Sequence, residues 1–558
     1  MLRKQLIYIL MSSVGLVSCN YLDFDESQGM DKSDAYGYFN NVTRLASAVY
    51  REVPEDYGVI SNALRESATD NAVYTWSSNA VYKIYSNAWS PINLVDDKWG
   101  TYYGVIHDAN SFLENYSEDN LKRFEWDPNY EDNLAKTEMY KHEVRVLRAL
   151  YYFELAKRYG DVPLLTRTYS LDEINSVTKT SFQDVIAFVA EECAAVAPEL
   201  PLDQADFFNE TGRVTRGAAL AIRARALLYA ASPLFAGTGD ASAKWEAAAK
   251  AAYDVIGLGK YSLPSIASDP LYNAEGGNIV LNSPQLIFWT ENNEDNTFEA
   301  NNMPIGFEGA EGGTTPTQNL VDDFEMKDGT PFDWNNPSHV ANMYYDNAGN
   351  PTRDPRLYLT VIGNGMTWMG VPVEPLAGGR NSASIDGGTL TGYYLKKLMN
   401  ENVSLDPVTP VKKYHHYPGY RYAEVLLNYA EAMNEWQGPD YTDEYCVKSA
   451  RQALNEVRAA AGMPAVVASG QAEFREKVRK ERRIELAFED HRFWDIRRWK
   501  IGEVVRNIYG IEKLNNAYTR VQVQTRTWED KMYLYPIPQN EVFVNRNLTQ
   551  NPGWEVAE

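Results

Sequence analysis

The chain has 558 residues, 53 Lys and Arg against 76 Asp and Glu, and a formal net charge of −23. So acidic a surface repels nucleic acid and anionic lipid, which excludes both as partners. Its 38 Tyr, 13 Trp and 19 Phe are the unusual part: Tyr and Trp present a flat apolar face with a polar handle, which suits sugar rings and wet interfaces.

In chain order, a basic start at Arg3 and Lys4 precedes Leu6–Met11, the opening of an apolar stretch too short to span a bilayer. The run Gly15-Leu16-Val17-Ser18-Cys19 resembles a bacterial lipobox, with Leu at −3, Ser at −1 and Cys at +1. That pattern implies a signal peptide over 1–18 and diacylglyceryl attachment at Cys19. Several acyl chains, at about 0.8 kcal/mol per buried CH₂, make such an anchor effectively permanent. An acidic tether follows over 19–35, and no later stretch is apolar for long enough to cross a membrane.

From 36 to 261 the pattern is mostly helical. Trp99, Tyr102, Tyr103, Ile106 and Leu113 share one helical face, which assigns Trp99 to the core. Val144–Tyr159 is apolar on several sides and predicts a buried helix ending at Gly160-Asp161-Val162-Pro163. The alanine-rich Ala218–Tyr229 and then Trp245–Ile256 predict two closely packed helices, as in tandem hairpins. Over 262–418 Gly, Asn, Pro and Asp crowd the chain, and short apolar runs such as Gln285–Trp289 predict loops with short strands. Helices resume at 419: Tyr422, Val425, Leu426, Tyr429, Ala430 and Met433 have amphipathic spacing, Tyr445–Ala461 and Ala472–Glu489 follow, and the C-terminus reads as irregular. Cys193 and Cys446 lie in helix-like runs far apart and read as core residues, without metal or disulfide spacing.

An ordered set of motifs then resembles the SusD/RagB nutrient-binding lipoproteins of Bacteroidetes. It comprises Arg148–Leu155 leading into Tyr159–Leu164, Gly212-Arg213-Val214-Thr215, Arg353-Asp354-Pro355-Arg356-Leu357, Tyr422–Ala432, Glu481–Leu486, Tyr535-Pro536-Ile537-Pro538 and Gln550–Trp554. The resemblance implies a mainly α fold: a tetratricopeptide-like scaffold of helical hairpins with a loop-rich, ligand-binding insertion containing short strands. The body over 36–558 is then one unit: helices (36–261), insertion (262–418), and helices with an irregular end (419–558). It further implies a lipid-anchored outer-membrane protein facing the exterior. Its partner is a SusC-like TonB-dependent transporter; it holds an oligosaccharide, or in some members a peptide, and needs no cofactor or catalysis.

Two segments carry the chemistry of sugar binding, aromatic faces ringed by amides and acids. They are Asp70, Asn71 and Trp76, running on to Trp89 through a Ser/Asn-rich stretch without helical spacing, and Trp289, Glu291 and Asn292. By region the family's site aromatics correspond to Trp76, Trp89 and Trp289, with Trp334 and Trp368 as outside candidates. The cluster Glu485, Glu489, Asp490 and His491 tempts a glycoside hydrolase reading, but Arg482 and Glu485 share a helical face as an expected structural ion pair. A hydrolase needs two carboxylates across one cleft, and no motif supplies them. His415-His416 lacks a third ligand at metal spacing, and the oxygen-rich loop Asn292–Asn302 lacks EF-hand spacing for calcium.

Overall fold

The computed structural model describes residues 32–203, 210–272, 277–291, 294–515 and 517–555. Its main helices are α1 (Phe39–Ala48), α2 (Trp99–Asn115), α3 (Tyr130–Tyr159), α4 (Phe182–Val196), α5 (Arg216–Ala231) and α6 (Ala241–Gly257), then the short α7 (Thr297–Asn302), α8 (Tyr422–Gln437), α9 (Ala450–Ala460), α10 (Gln471–Glu485) and α11 (Arg492–Arg498). Each of α2 to α5 packs on the next, and α6 packs on α8, which also meets α9 and α10. The caps are local: Ser181, Thr215 and Asp240 each accept a first-turn N–H, and Ser449 forms a capping box with Gln452. The expected close pair is α5 and α6, which pack on each other and bury Ala218, Ala221 and Ala224 on one helix and Ala248, Ala249 and Ala252 on the other.

Every residue of α3 from Val146 to Tyr159 is buried. The helix stops at Gly160, whose φ of 72° lies in the left-handed region that favours glycine. The α8 helix departs from its amphipathic spacing: Tyr422 to Asn434 are buried all round, because α5, α6, α9 and α10 enclose it. Tyr445–Ala461 is also corrected. The helix begins only at Ala450, after the Ser449 cap, so Cys446 is a buried loop residue.

Six strands concern the site: β1 (Ala72–Tyr74), β2 (Leu286–Glu291), β3 (Thr314–Pro316), β4 (His416–Arg421), β5 (Asn507–Leu514) and β6 (Ala517–Thr525). They form antiparallel pairs. β1 meets β3 with Val73 opposite Thr315, β2 meets β4 with Thr290 opposite Tyr417, and β5–β6 is a hairpin with Ile511 opposite Arg520. The hairpin interrupts the expected irregular C-terminus, which is otherwise mostly irregular over 526–555. The loop-rich segment holds its own core of Leu320, Phe324, Val361, Trp368, Tyr393 and Tyr394, closed by Ile484 and Phe488 from the end of α10 and by Ile511 of β5. Trp368 is wholly buried in it, and Trp334 is half-buried, with its indole N–H on Asp322 Oδ1 at 2.9 Å and its ring edge-on to Phe332.

Candidate functional site

The segment Asp70–Trp89 divides sharply. Asp70 is buried, its two oxygens each 2.9 Å from Arg492, and Arg483 stands 2.9 Å from Oδ2. Burial opposes its charge, but the two guanidinium groups outweigh it and hold the carboxyl below the usual aspartate value. Asn71 is fully buried, donating to Glu66 Oε1 at 2.6 Å and accepting from Arg483 Nε at 2.7 Å. Trp89 is 2% exposed, edge-on to Tyr535 and Trp554 with ring centres 5.2 and 4.9 Å away. These three expected ligand residues are framework, and a short helix at Val81–Tyr85 interrupts the stretch that read as irregular.

Trp76 is different. It follows β1 at the point where the chain leaves the sheet: Thr75 bonds Gly313 and Gly312 through its N–H (2.9 Å) and hydroxyl (2.7 Å). The Trp76 indole N–H then donates to the Glu311 carbonyl at 2.9 Å, which pins the half-buried ring at the edge of the main core. Gly387, at φ 77°, comes so close that a Cβ there would sit 2.8 Å from Trp76 Cζ2 and 3.2 Å from Ile305 Cδ1. Ile385 and Leu390, 41% and 45% exposed, stand in the same loop beside exposed Ser384 and Asp386. The outcome is a fixed, partly open indole face amid small, polar and aliphatic groups. No sequence pattern announced Glu311; the pair Gly387-Gly388 was the one local signal of a close approach.

Trp289 lies elsewhere. Half-buried on β2, it lines a cavity of about 130 Å³ between that strand, the 51–58 segment and the chain at Tyr417–Tyr420. Three of the acids there are tied up: Arg65 bridges Asp490 (2.5 Å) and Asp96 (3.0 Å), and Glu154 holds Lys157 (2.7 Å) and Arg158 (2.5 Å). Against burial, those cations hold Glu154 at about 2, while burial draws Lys157 down to about 8. Trp76 is not among the lining residues, so the two Trp candidates belong to separate places. Glu291 ends β2 opposite His416; Asn292 and Cys19 lie outside the described residues.

The tempting acid cluster is also framework, though not by the expected pairing. Arg482 bonds Asp495 (2.8 Å) and Asn428 (2.6 Å), while Glu485 takes Arg421 (2.8 Å) and Arg356 (2.9 Å). His415 meets Glu299 at 3.0 Å, and among the described residues no three His, Cys, Asp or Glu side chains gather as a metal site.

The described chain is thus a helical-hairpin scaffold with a loop-rich segment beside which the half-buried Trp76 ring lies. Comparison with known proteins agrees with this fold. The profile of the SusD family matches residues 285–554, and one described as "Starch-binding associating with outer membrane" matches residues 20–228. A SusD-like protein of Formosa agariphila, P25, is 24% identical over 485 residues, covering 82% of this chain and 78% of the relative. Two Bacteroides fragilis structures are each 28% identical: a SusD-like protein (TM-score 0.76; 93% of this chain, 98% of that one) and a SusD-like carbohydrate binding protein (0.73; 92% and 99%). The chain belongs to the SusD family.

Proposed function

We propose that this protein is a lipid-anchored surface glycan-binding protein that captures an oligosaccharide on Trp76 and delivers it, unaltered, to a TonB-dependent outer-membrane transporter. The observation that carries the reading is the half-buried Trp76 ring, held by Glu311 and bordered by Gly387. A sugar ring stacked on it gains on the order of 0.5–1.5 kcal/mol beyond area burial, by analogy with aromatic pairs. Anchoring rests on the lipobox at Cys19, with 1–18 removed and 19–35 as tether; a family profile named for the outer membrane supports it, and among the described residues no helix is long and apolar enough to cross a bilayer. Binding without turnover is favoured because Glu154, Glu485, Glu489 and Asp490 are all committed to ion pairs.

Calorimetric titration against a glycan and peptide panel tests the reading. Trp76→Ala lowers glycan affinity at least about tenfold, or about 1.4 kcal/mol, with little change in melting temperature. Trp89→Ala does the reverse, costing about 3–5 kcal/mol of stability and leaving the affinity of the folded protein intact. Undiminished affinity in Trp76→Ala, binding of peptides alone, or cleavage of the bound glycan each overturns it.

A further inference from the structure

The loop that holds Trp76 is itself held by α7. Glu311 N–H bonds the Ala300 carbonyl (2.8 Å), Gly312 N–H bonds Met303 (3.0 Å), Gly313 N–H bonds Asn301 (2.8 Å), and Thr314 N–H bonds the Asn302 side chain (3.1 Å). Wherever α7 sits, the Glu311 carbonyl and the Trp76 ring follow. α7 in turn is fastened from within by one ionisable pair. Glu299, with no exposed surface, receives the Asn400 N–H at 2.8 Å and faces His415 Nε2 at 3.0 Å, while Asp295 Oδ1 lies 4.0 Å from His415 Nδ1.

We propose that Glu299 and His415 form a proton-dependent latch that positions α7, and through it Glu311 and Trp76, so that the binding face is set while His415 carries its proton. The functional part of this rests on the reading of Trp76 given above. A buried carboxylate needs a countercharge, and once His415 is neutral Glu299 retains only hydrogen bonds. The other charges around the ring do not replace it. Lys413, two residues before the ring, bridges Asp295 through its backbone, and His416, the next residue, opens β4. Across the shared cavity Lys397 is committed to Glu489 at 2.6 Å, and Lys396 lies 3.7 Å from Glu401. Burial disfavours the imidazolium, but the bond and charge of Glu299, with Asp295, outweigh it and raise His415 above its ordinary value. The sign follows: the latch is closed below the ordinary histidine value and opens as pH rises through the raised one.

The test reads α7 without any ligand. Amide hydrogen exchange at Glu311–Gly313 in the intact protein, corrected for intrinsic rates, is followed from about pH 5.5 to about pH 8.5, across the histidine range. Wild type loses at least about fivefold protection as pH rises, whereas His415→Gln and Glu299→Gln give flat profiles. A flat wild-type profile, or variants that track wild type, overturns the latch, and the wild-type arm decides even if a variant fails to fold. Glycan titration at the same pH values separates the two claims. Exchange that responds while affinity is indifferent to Trp76→Ala refutes the glycan reading and upholds the latch.

Discussion

Removing Asp70 is the sharpest way to tell framework from site. In Asp70→Ala the guanidinium groups of Arg492 and Arg483 lose a buried carboxylate that each meets at 2.9 Å. Arg483 keeps Asp323 at 2.5 Å, but Arg492 is left without an acidic partner among the ion pairs of the described residues. Breaking a buried pair from one side costs about 3–5 kcal/mol, because the surviving charge stays desolvated. Unfolding entropy of about 2.1 cal/mol/K per residue gives this 558-residue chain about 1.2 kcal/mol/K, so the melting temperature drops by about 3–4 °C. Asp70 is held below its ordinary value despite burial, so its stabilisation is complete above that value and fades as pH falls through the lowered one. The gap between wild type and variant in scanning calorimetry is therefore full at neutral pH and narrows in acid. Glycan affinity, measured below the melting range, stays as in wild type. An unchanged melting temperature together with lost affinity refutes the reasoning and returns Asp70 to the binding site.

Gly387→Val places a Cβ 2.8 Å from the Trp76 ring at a φ of 77°, so the indole must move; glycan affinity falls about tenfold and tryptophan emission shifts, at a stability cost of about 1–3 kcal/mol. Unaltered affinity and emission refute the proposed stacking on Trp76. Against the cost of burial, Arg498 and the Trp499 indole N–H hold Glu431 at about 2, below its ordinary 4.5. Its contribution is present above about pH 4.5 and lost toward about pH 2, so melting curves of Glu431→Gln fall less steeply over that window than those of wild type.

Local periodicity made the scaffold legible. The α2 face, the buried run ending at Gly160 and the alanine pair α5–α6 all follow from residues within a turn or two of one another. What escaped was non-local. Trp76 and Trp89 share one polar stretch, and nothing within it separates them; the partners that bury Trp89 are Tyr535 and Trp554, more than 400 residues away. The same distance hid the salt bridge from Asp70 to Arg492, which is why an acid-amide pair beside aromatics passed for sugar chemistry. The Arg482–Glu485 expectation failed for a related reason: helical spacing brought them onto one face, but Asp495 and Arg421 offered each a better-aligned partner. The β5–β6 hairpin went unseen because alternating polar residues, mostly exposed on β6, leave little apolar signal.

The density of buried arginine around the site has a backbone cause. Between Arg65 and Ala72 the chain makes one short 3₁₀ turn, and its residues are buried, so carbonyls there lack the partners that a helix or sheet supplies. Arg526, 3% exposed, fills that gap, donating to the carbonyls of Ser67 (3.0 Å), Thr69 (2.6 Å) and Ala72 (2.9 Å). Its counter-ion is missing from the ion pairs of the described residues, and burial lowers its pKa, so the site accepts the cost of a desolvated cation. An apolar side chain would leave three carbonyls unpaired at about 1–3 kcal/mol each, and no other residue carries five N–H groups in one rigid fork. Arg483 and Arg492 fasten the same stretch through Asp70 and Asn71. Since Ala72 opens β1 and Trp76 leaves it four residues later, these forks fix the direction in which the Trp76 indole emerges, and a core of aliphatic residues alone would not.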